Sequence, residues 1–290
     1  MNILLANRAL RKIAGSETWT ITMYRELIKK HNVDIFTFGK NKLIYKTRFR
    51  KANFFNQNIS YDLAIINHKK CLAELNKYSN IKKKIFTSHG IIPEEEQPIN
   101  GADTYVAISE EVKETIENKG FKCSKILRNP IDINIFKEIK PINKKLKNIL
   151  YISGYGKRPI NLIKNAFKNY NLKIIGQAYN KSVKNVHKYI NEADLVISLG
   201  RGVYEALSCN RNVIIFDSVN NNNNYGDGYV NEKSILAFRK NNCSGRSKKI
   251  SFNELLLKKE LLNYDCNLKM RNYIIKNNNI ETIAKKYLAL

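Results

Sequence analysis

The sequence predicts an α/β protein of two doubly wound halves, on three observations. Short apolar runs end in glycine-containing turns and lead into helical stripes; the pattern restarts after a lysine-rich break at residues 131–147; and residues 194–217 read as a strand, a glycine loop, a helix and a second strand. At 290 residues the chain is long enough for two cores.

Each element follows from its residues. Residues 2–6 are a buried strand, followed by a loop containing Gly15 and Ser16 and a helix over 18–30, with Trp19, Met23, Leu27 and Ile28 on its apolar stripe. Strands follow at 33–38 and 61–67, separated by a basic irregular tract at 40–51. A strand at 85–88 delivers His89 and Gly90 to its carboxyl end, where open α/β sheets bind ligands. Of the 4 histidines, His89 is therefore the best active-site candidate. His68 also ends a strand, in a less specific context, while His31 and His187 read as structural. The acidic tract 93–98 reads as a solvated loop.

Residues 103–108 form a fifth strand, and Ser109 caps a helix over 110–119 that stops at Gly120. After a sixth strand at 125–127, Asn129-Pro130 closes the first domain, residues 1–130; residues 131–147 read as a linker and 148–290 as the second domain. That domain opens with a strand at 148–153 and the loop Gly154-Tyr155-Gly156-Lys157-Arg158, two glycines and two cations ahead of a helix at 159–170, which suits phosphate. A strand at 172–175 and a helix at 183–190 lead to the central stretch.

There, Gly200 and Gly202 bracket Arg201 after the strand 195–197, and the helix 203–209 starts with its first amides toward a ligand; 213–216 is the next strand. Glu205 is informative. A carboxylate one turn into such a helix repels phosphate, but its oxygens suit the hydroxyls of a ribose. Residues 225–229 read as a tight turn, from which Asp227 could face a ligand. Amphipathic helices at 251–262 and 266–288 close the second domain.

Composition bounds the function. Hydrophobic residues make up 43%, ordinary for a globular chain, and no apolar run is long enough to span a bilayer. The 5 cysteines are odd in number and without ligand spacing, so they read as reduced thiols in a cytoplasmic protein. A formal net charge of +26 suits an acidic partner, but the matching excess of Asn and Ile, with Asn220 to Asn224 consecutive, favours compositional bias. Nucleic acid is thus an open but less favoured partner, and peripheral contact with the inner face of an anionic membrane is also open.

Three stretches carry a family resemblance. Tyr204-Glu205-Ala206-Leu207-Ser208-Cys209-Asn210-Arg211-Asn212-Val213-Ile214 is similar to the "LEAMACGxPVV" string of the GT-B glycosyltransferases, in particular the large retaining family usually numbered 4. Thr87-Ser88-His89-Gly90 resembles their "T-x-H-G/D" element, and the text from Val106 through Ile131-Asp132 to Phe136 resembles "ISEEVK…KI.VIPNPID…F". Ile197 stands where members often have a further Glu, and Lys157 matches a family lysine whose companion arginine has no clean counterpart unless Arg158 or Arg201 substitutes.

The resemblance implies a GT-B fold, two Rossmann-like domains facing across a cleft, and transfer of a sugar from a nucleotide diphosphate with retention. It implies Glu205 on the ribose; Gly200, Arg201, Gly202, Val203, Gly154, Lys157 and Arg158 about the diphosphate; His89 as the catalytic-side residue; and Gly15, Ser16 and Asn129 on the acceptor side. No cofactor and no metal are implied, in keeping with the lack of an Asp-x-Asp motif. The acceptor would be a glycan, a lipid-linked sugar or another hydroxyl. Alternatives are a nucleotide-sugar epimerase or phosphorylase of the same fold, or a basic nucleic-acid-binding protein, including one that glycosylates nucleic acid.

Overall fold

The computed structural model describes residues 1–10, 15–38, 53–153, 159–176, 183, 185–216 and 225–290. The chain divides into two compact units, one of Met1–Pro130 with Ile280–Leu290 and one of Ile131–Asn279.

The first unit holds β1 (Asn2–Ala6), α1 (Gly15–Leu27), β2 (Asn32–Phe36), β3 (Leu63–Ile66), α2 (Lys69–Leu75), β4 (Lys84–Ser88), β5 (Thr104–Ala107), α3 (Glu110–Asn118) and β6 (Cys123–Ile126). Its 6-stranded sheet runs in the order β2-β1-β3-β4-β5-β6, every pairing parallel. Side chains alternate across a strand, so a parallel sheet covered on both faces needs two apolar sets. On β1, Ile3 and Leu5 join the cluster with Trp19, while Leu4 and Ala6 join the one with Leu72 and Phe86. Ser109 caps α3 by accepting the Val112 N–H at 3.3 Å, as its position predicts.

The second unit holds β7 (Asn148–Ile152), α4 (Ile160–Ala166), β8 (Asn171–Ile175), α5 (Val186–Glu192), β9 (Leu195–Ser198), α6 (Arg201–Ser208), β10 (Asn212–Phe216), β11 (Tyr225–Tyr229), α7 (Ser234–Phe238), β12 (Ile250–Ser251), α8 (Glu254–Glu260) and α9 (Arg271–Asn278). The order is β12-β11-β10-β9-β7-β8. β8, β7, β9 and β10 are parallel, and β11 and β12 add antiparallel to one edge. Again the strands alternate: Leu150, Val196 and Val213 face one core, Ile149, Leu195 and Ile214 the other.

Three expectations are corrected. Residues 225–229 are not a turn but the buried strand β11. The segment 131–147 is not a free linker: Asp194 accepts N–H groups from Asn143 and Lys147 at 2.9 and 3.0 Å, and Arg271 donates to the Phe136 and Ile133 carbonyls at 2.7 and 2.8 Å, fastening it into the second unit. The helix expected through 266–288 breaks at Asn279, and its last part, α10 (Ile280–Leu288), packs in the first unit. There Tyr287 is fully buried, 5.6 Å edge-on from Trp19 and 3.1 Å from the Thr87 hydroxyl. Cys71, Cys123, Cys209 and Cys243 are buried free thiols. Among the described residues no helix is long and apolar enough to cross a membrane.

Candidate functional site

In the second unit the site residues gather where β9 turns into α6. Leu195–Ser198 is wholly buried, and the chain leaves it through Gly200, whose φ of 56° lies in the left-handed region that glycine enters without strain. Gly202 is a glycine for another reason: a Cβ there would fall on Ser198 Oγ, far inside van der Waals contact. The helix start is thus packed directly against the side chain at the strand end.

Glu205, one turn on, is 6% exposed, so it does not face bulk water. Its Oε1 accepts from Arg201 Nε at 2.7 Å, and both side chains are nearly buried, at 10% for Arg201 and 8% for Glu205. Burial raises the Glu205 pKa, and the Arg201 guanidinium opposes that rise. The i, i+4 spacing that makes this pair was visible in the sequence, although each residue was read there as a separate ligand contact. The expected amide donors are engaged: Gly202 N–H points to the Leu199 carbonyl and Val203 N–H to that of Gly200, both at a long 3.2 Å. Gly154, Lys157 and Arg158 lie outside the described residues.

The first unit presents a polar group at the carboxyl ends of β1, β3 and β4. The His89 ring bonds Asn67 Oδ1 at 3.0 Å and packs edge-on to Trp19 at 5.3 Å. Asn67 Nδ2 and Asn7 Nδ2 both donate to Thr20 Oγ1, at 2.9 and 3.1 Å, and Thr20 in turn donates to the Ser16 carbonyl at 2.8 Å. His89 is therefore oriented by a buried relay that ties three strand ends to α1. Asn7 and Asn67 escaped the sequence reading; the signal was an Asn immediately after each apolar strand, Ala6-Asn7 and Ile66-Asn67. Gly15 opens α1, Ser16 is nearly buried with its hydroxyl 3.2 Å from Glu17 Oε2, and Asn129 is buried just before the boundary of the unit.

His68 is a different case. Its Nδ1 accepts the Arg8 N–H at 3.1 Å, and burial lowers its pKa to about 4, so it is a neutral structural acceptor. The acidic tract is also more than a solvated loop. Glu94 pairs with Lys69, and Glu95 lies 3.3 Å from Arg8 and 3.4 Å from Lys70. Glu96 turns inward, its Oε2 2.9 Å from where a Cβ on Gly90 would stand. Burial, and then the charge of Glu17, raise its pKa to about 7. Among the described residues no group of three His, Cys, Asp or Glu side chains converges on a metal position.

Comparison with solved structures identifies the architecture. AviGT4, a glycosyltransferase involved in avilamycin A biosynthesis, superposes with a TM-score of 0.57 at 12% identity, over 99% of this chain and 96% of that one. The chain has the GT-B fold. An α-glucosyltransferase in complex with UDP and a 13-mer DNA containing a HMU base matches with a TM-score of 0.56 at 13% identity, over 100% and 98%. A putative UDP-N-acetylglucosamine 2-epimerase from Listeria monocytogenes matches at 0.55 and 11%, over 100% and 95%. No family model matches the sequence, and no curated protein matches it.

Proposed function

We propose that this GT-B protein is a glycosyltransferase that moves a sugar from a nucleotide diphosphate to a hydroxyl acceptor, with retention and without a metal. The observation that carries this reading is the buried Glu205–Arg201 pair one turn after the Gly200 bend. Glu205 would bind the ribose hydroxyls through its carboxylate, in exchange with or beside Arg201. Arg201, with Lys157 and Arg158 of the Gly154–Arg158 stretch, would neutralise the diphosphate as it leaves, so side-chain cations take the place of a divalent ion. The first unit would supply the catalytic and acceptor side: His89, steadied by Asn67 and Trp19, together with Gly15, Ser16 and Asn129. UDP-bound proteins of the same fold support a nucleotide donor.

The test is a thermal-shift screen of nucleotide sugars and their diphosphates, in which a ligand at 100 times its Kd stabilises by about 2.7 kcal/mol. Glu205→Gln keeps a hydrogen-bonding partner for Arg201 while removing the charge. Its expected outcome is a folded protein with at least tenfold weaker nucleotide binding, and wild-type affinity in that variant refutes the assignment. Product analysis with and without acceptor separates transfer from the epimerisation that the Listeria neighbour suggests. A second reading, transfer to nucleic acid, draws on the DNA in the neighbouring complex and is compatible with the net charge of +26. It requires DNA or RNA binding that weakens steeply with salt, since released counterions drive such binding.

A further inference from the structure

Asp227 lies in the middle of β11 and is fully buried, an expensive place for a carboxylate. It does not look toward a ligand. Its Oδ1 accepts the Lys248 N–H at 2.7 Å, while its Oδ2 is buried with no hydrogen-bond partner among the described residues; burial raises its pKa, and the nearby amides of Lys248, Ser247, Lys249 and Gly245 oppose that rise. Backbone N–H groups that curl around one acceptor form a nest, and here the acceptor is the chain's own side chain. The turn this imposes is tight, with φ of 77° at Gly245 and 53° at Lys249.

The segment so held is fastened at its other end to the entry of α6. The Gly200 N–H donates to the Cys243 carbonyl at 2.9 Å, and a Cβ on Gly245 would stand 3.5 Å from Leu199. Asn242 flanks Gly200 on the same side, 3.8 Å from where its Cβ would be. The Ser244 and Ser247 hydroxyls of this segment are buried with no hydrogen-bond partner among the described residues, which is unusual for buried hydroxyls and leaves their hydrogen-bonding capacity unused. A strand, a nest and a loop thus lead in unbroken contact from Asp227 to the bend at Gly200.

We infer that residues 243–249 form a second wall of the nucleotide-sugar site, with Asp227 as the positioning residue that sets this loop against Gly200 and with Ser244 and Ser247 hydrogen-bonding the donor. The inference rests on the reading that the donor binds at the start of α6. It assigns a task to an antiparallel strand that the parallel sheet does not need.

The experiment is calorimetric titration of UDP, GDP and ADP into the full-length protein and three variants: Asp227→Asn, Ser244→Ala with Ser247→Ala, and Glu205→Gln. Asp227→Asn is expected to raise the nucleotide Kd at least tenfold, and the double serine variant three- to tenfold with an unchanged melting temperature. With a donor sugar, both loop variants should raise KM more than they lower kcat. If Glu205→Gln weakens nucleotide binding while the loop variants bind like wild type, the wall does not exist and the donor site stands. If the wild-type protein binds none of the three nucleotides, the donor reading falls and the inference with it. Should Asp227→Asn fail to fold, the serine variant alone decides.

Discussion

Gly15 and Gly202 each stand at the start of a helix that follows a parallel strand, yet the two turns are built differently. A Cβ on Gly15 would meet none of the described residues within 4 Å, whereas one on Gly202 would strike Ser198. The second unit fixes α6 by a left-handed bend at Gly200, a glycine against the Ser198 side chain at the strand end, and an ion pair inside the first turn. The first unit fixes α1 by side-chain packing, with Trp19 wedged between His89 and Tyr287. The same strand–turn–helix plan therefore tolerates change in one half and resists it in the other.

The largest test of that contrast is Tyr287→Ala. It removes the far wall of the Trp19 pocket and the partner of Thr87, so we expect about 3–5 kcal/mol of lost stability by chemical denaturation. His89 should lose its fixed orientation at the same time, visible as a change in its imidazole resonances. Next comes the glycine pair. Gly202→Ala should cost about 1–3 kcal/mol through forced overlap, and a Ser198→Ala background should recover part of it. Gly15→Ala should lie within about 0.5 kcal/mol of wild type. Equal costs for the two would break the comparison.

The remaining test is in pH dependence, and it belongs to the first unit. His68 titrates in the folded protein at about 4, below its ordinary 6.5, so its contribution is complete above 6.5 and is lost as pH falls toward 4. Glu96 titrates at about 7, above its ordinary 4.5, so its contribution is complete below 4.5 and is lost as pH rises toward 7. The two slopes oppose each other over nearly one window, each of order 1 kcal/mol per pH unit. Glu96→Gln should therefore be more acid-sensitive than wild type, and His68→Gln less so, in melting points taken between pH 4.5 and 7 at constant ionic strength. Parallel curves for all three proteins would remove both assignments.

Much of the architecture was legible because it is local. Alternating burial in β1, β7 and β9 leaves apolar runs that read as strands buried on both faces, and Ser109 followed by two glutamates marks a helix start. β11 was misread because Gly226 and Gly228 look like turn residues. In fact they mark a strand irregularity: the register slips between Ile215 and Phe216, and a Cβ on Gly226 would overlap the Ile215 carbonyl. Glu96 was hidden for a similar reason, since its half-buried carboxylate lies against Gly90, where a Cβ would stand 2.9 Å from Oε2, and its acidic neighbours give no sign of that. The destination of α10 could not be read at all. Amphipathicity says that a helix has a buried face, but Thr87 and Trp19 meet Tyr287 only across most of the chain's length.

That last contact bears on how the protein is made. During synthesis the amino-terminal half leaves the ribosome first, but its apolar surface around Trp19 stays open until residues 280–290 emerge. The intervening half can complete its own core meanwhile. The half translated first is therefore the half finished last, and it would be the part that depends most on chaperone protection while the chain is still being extended.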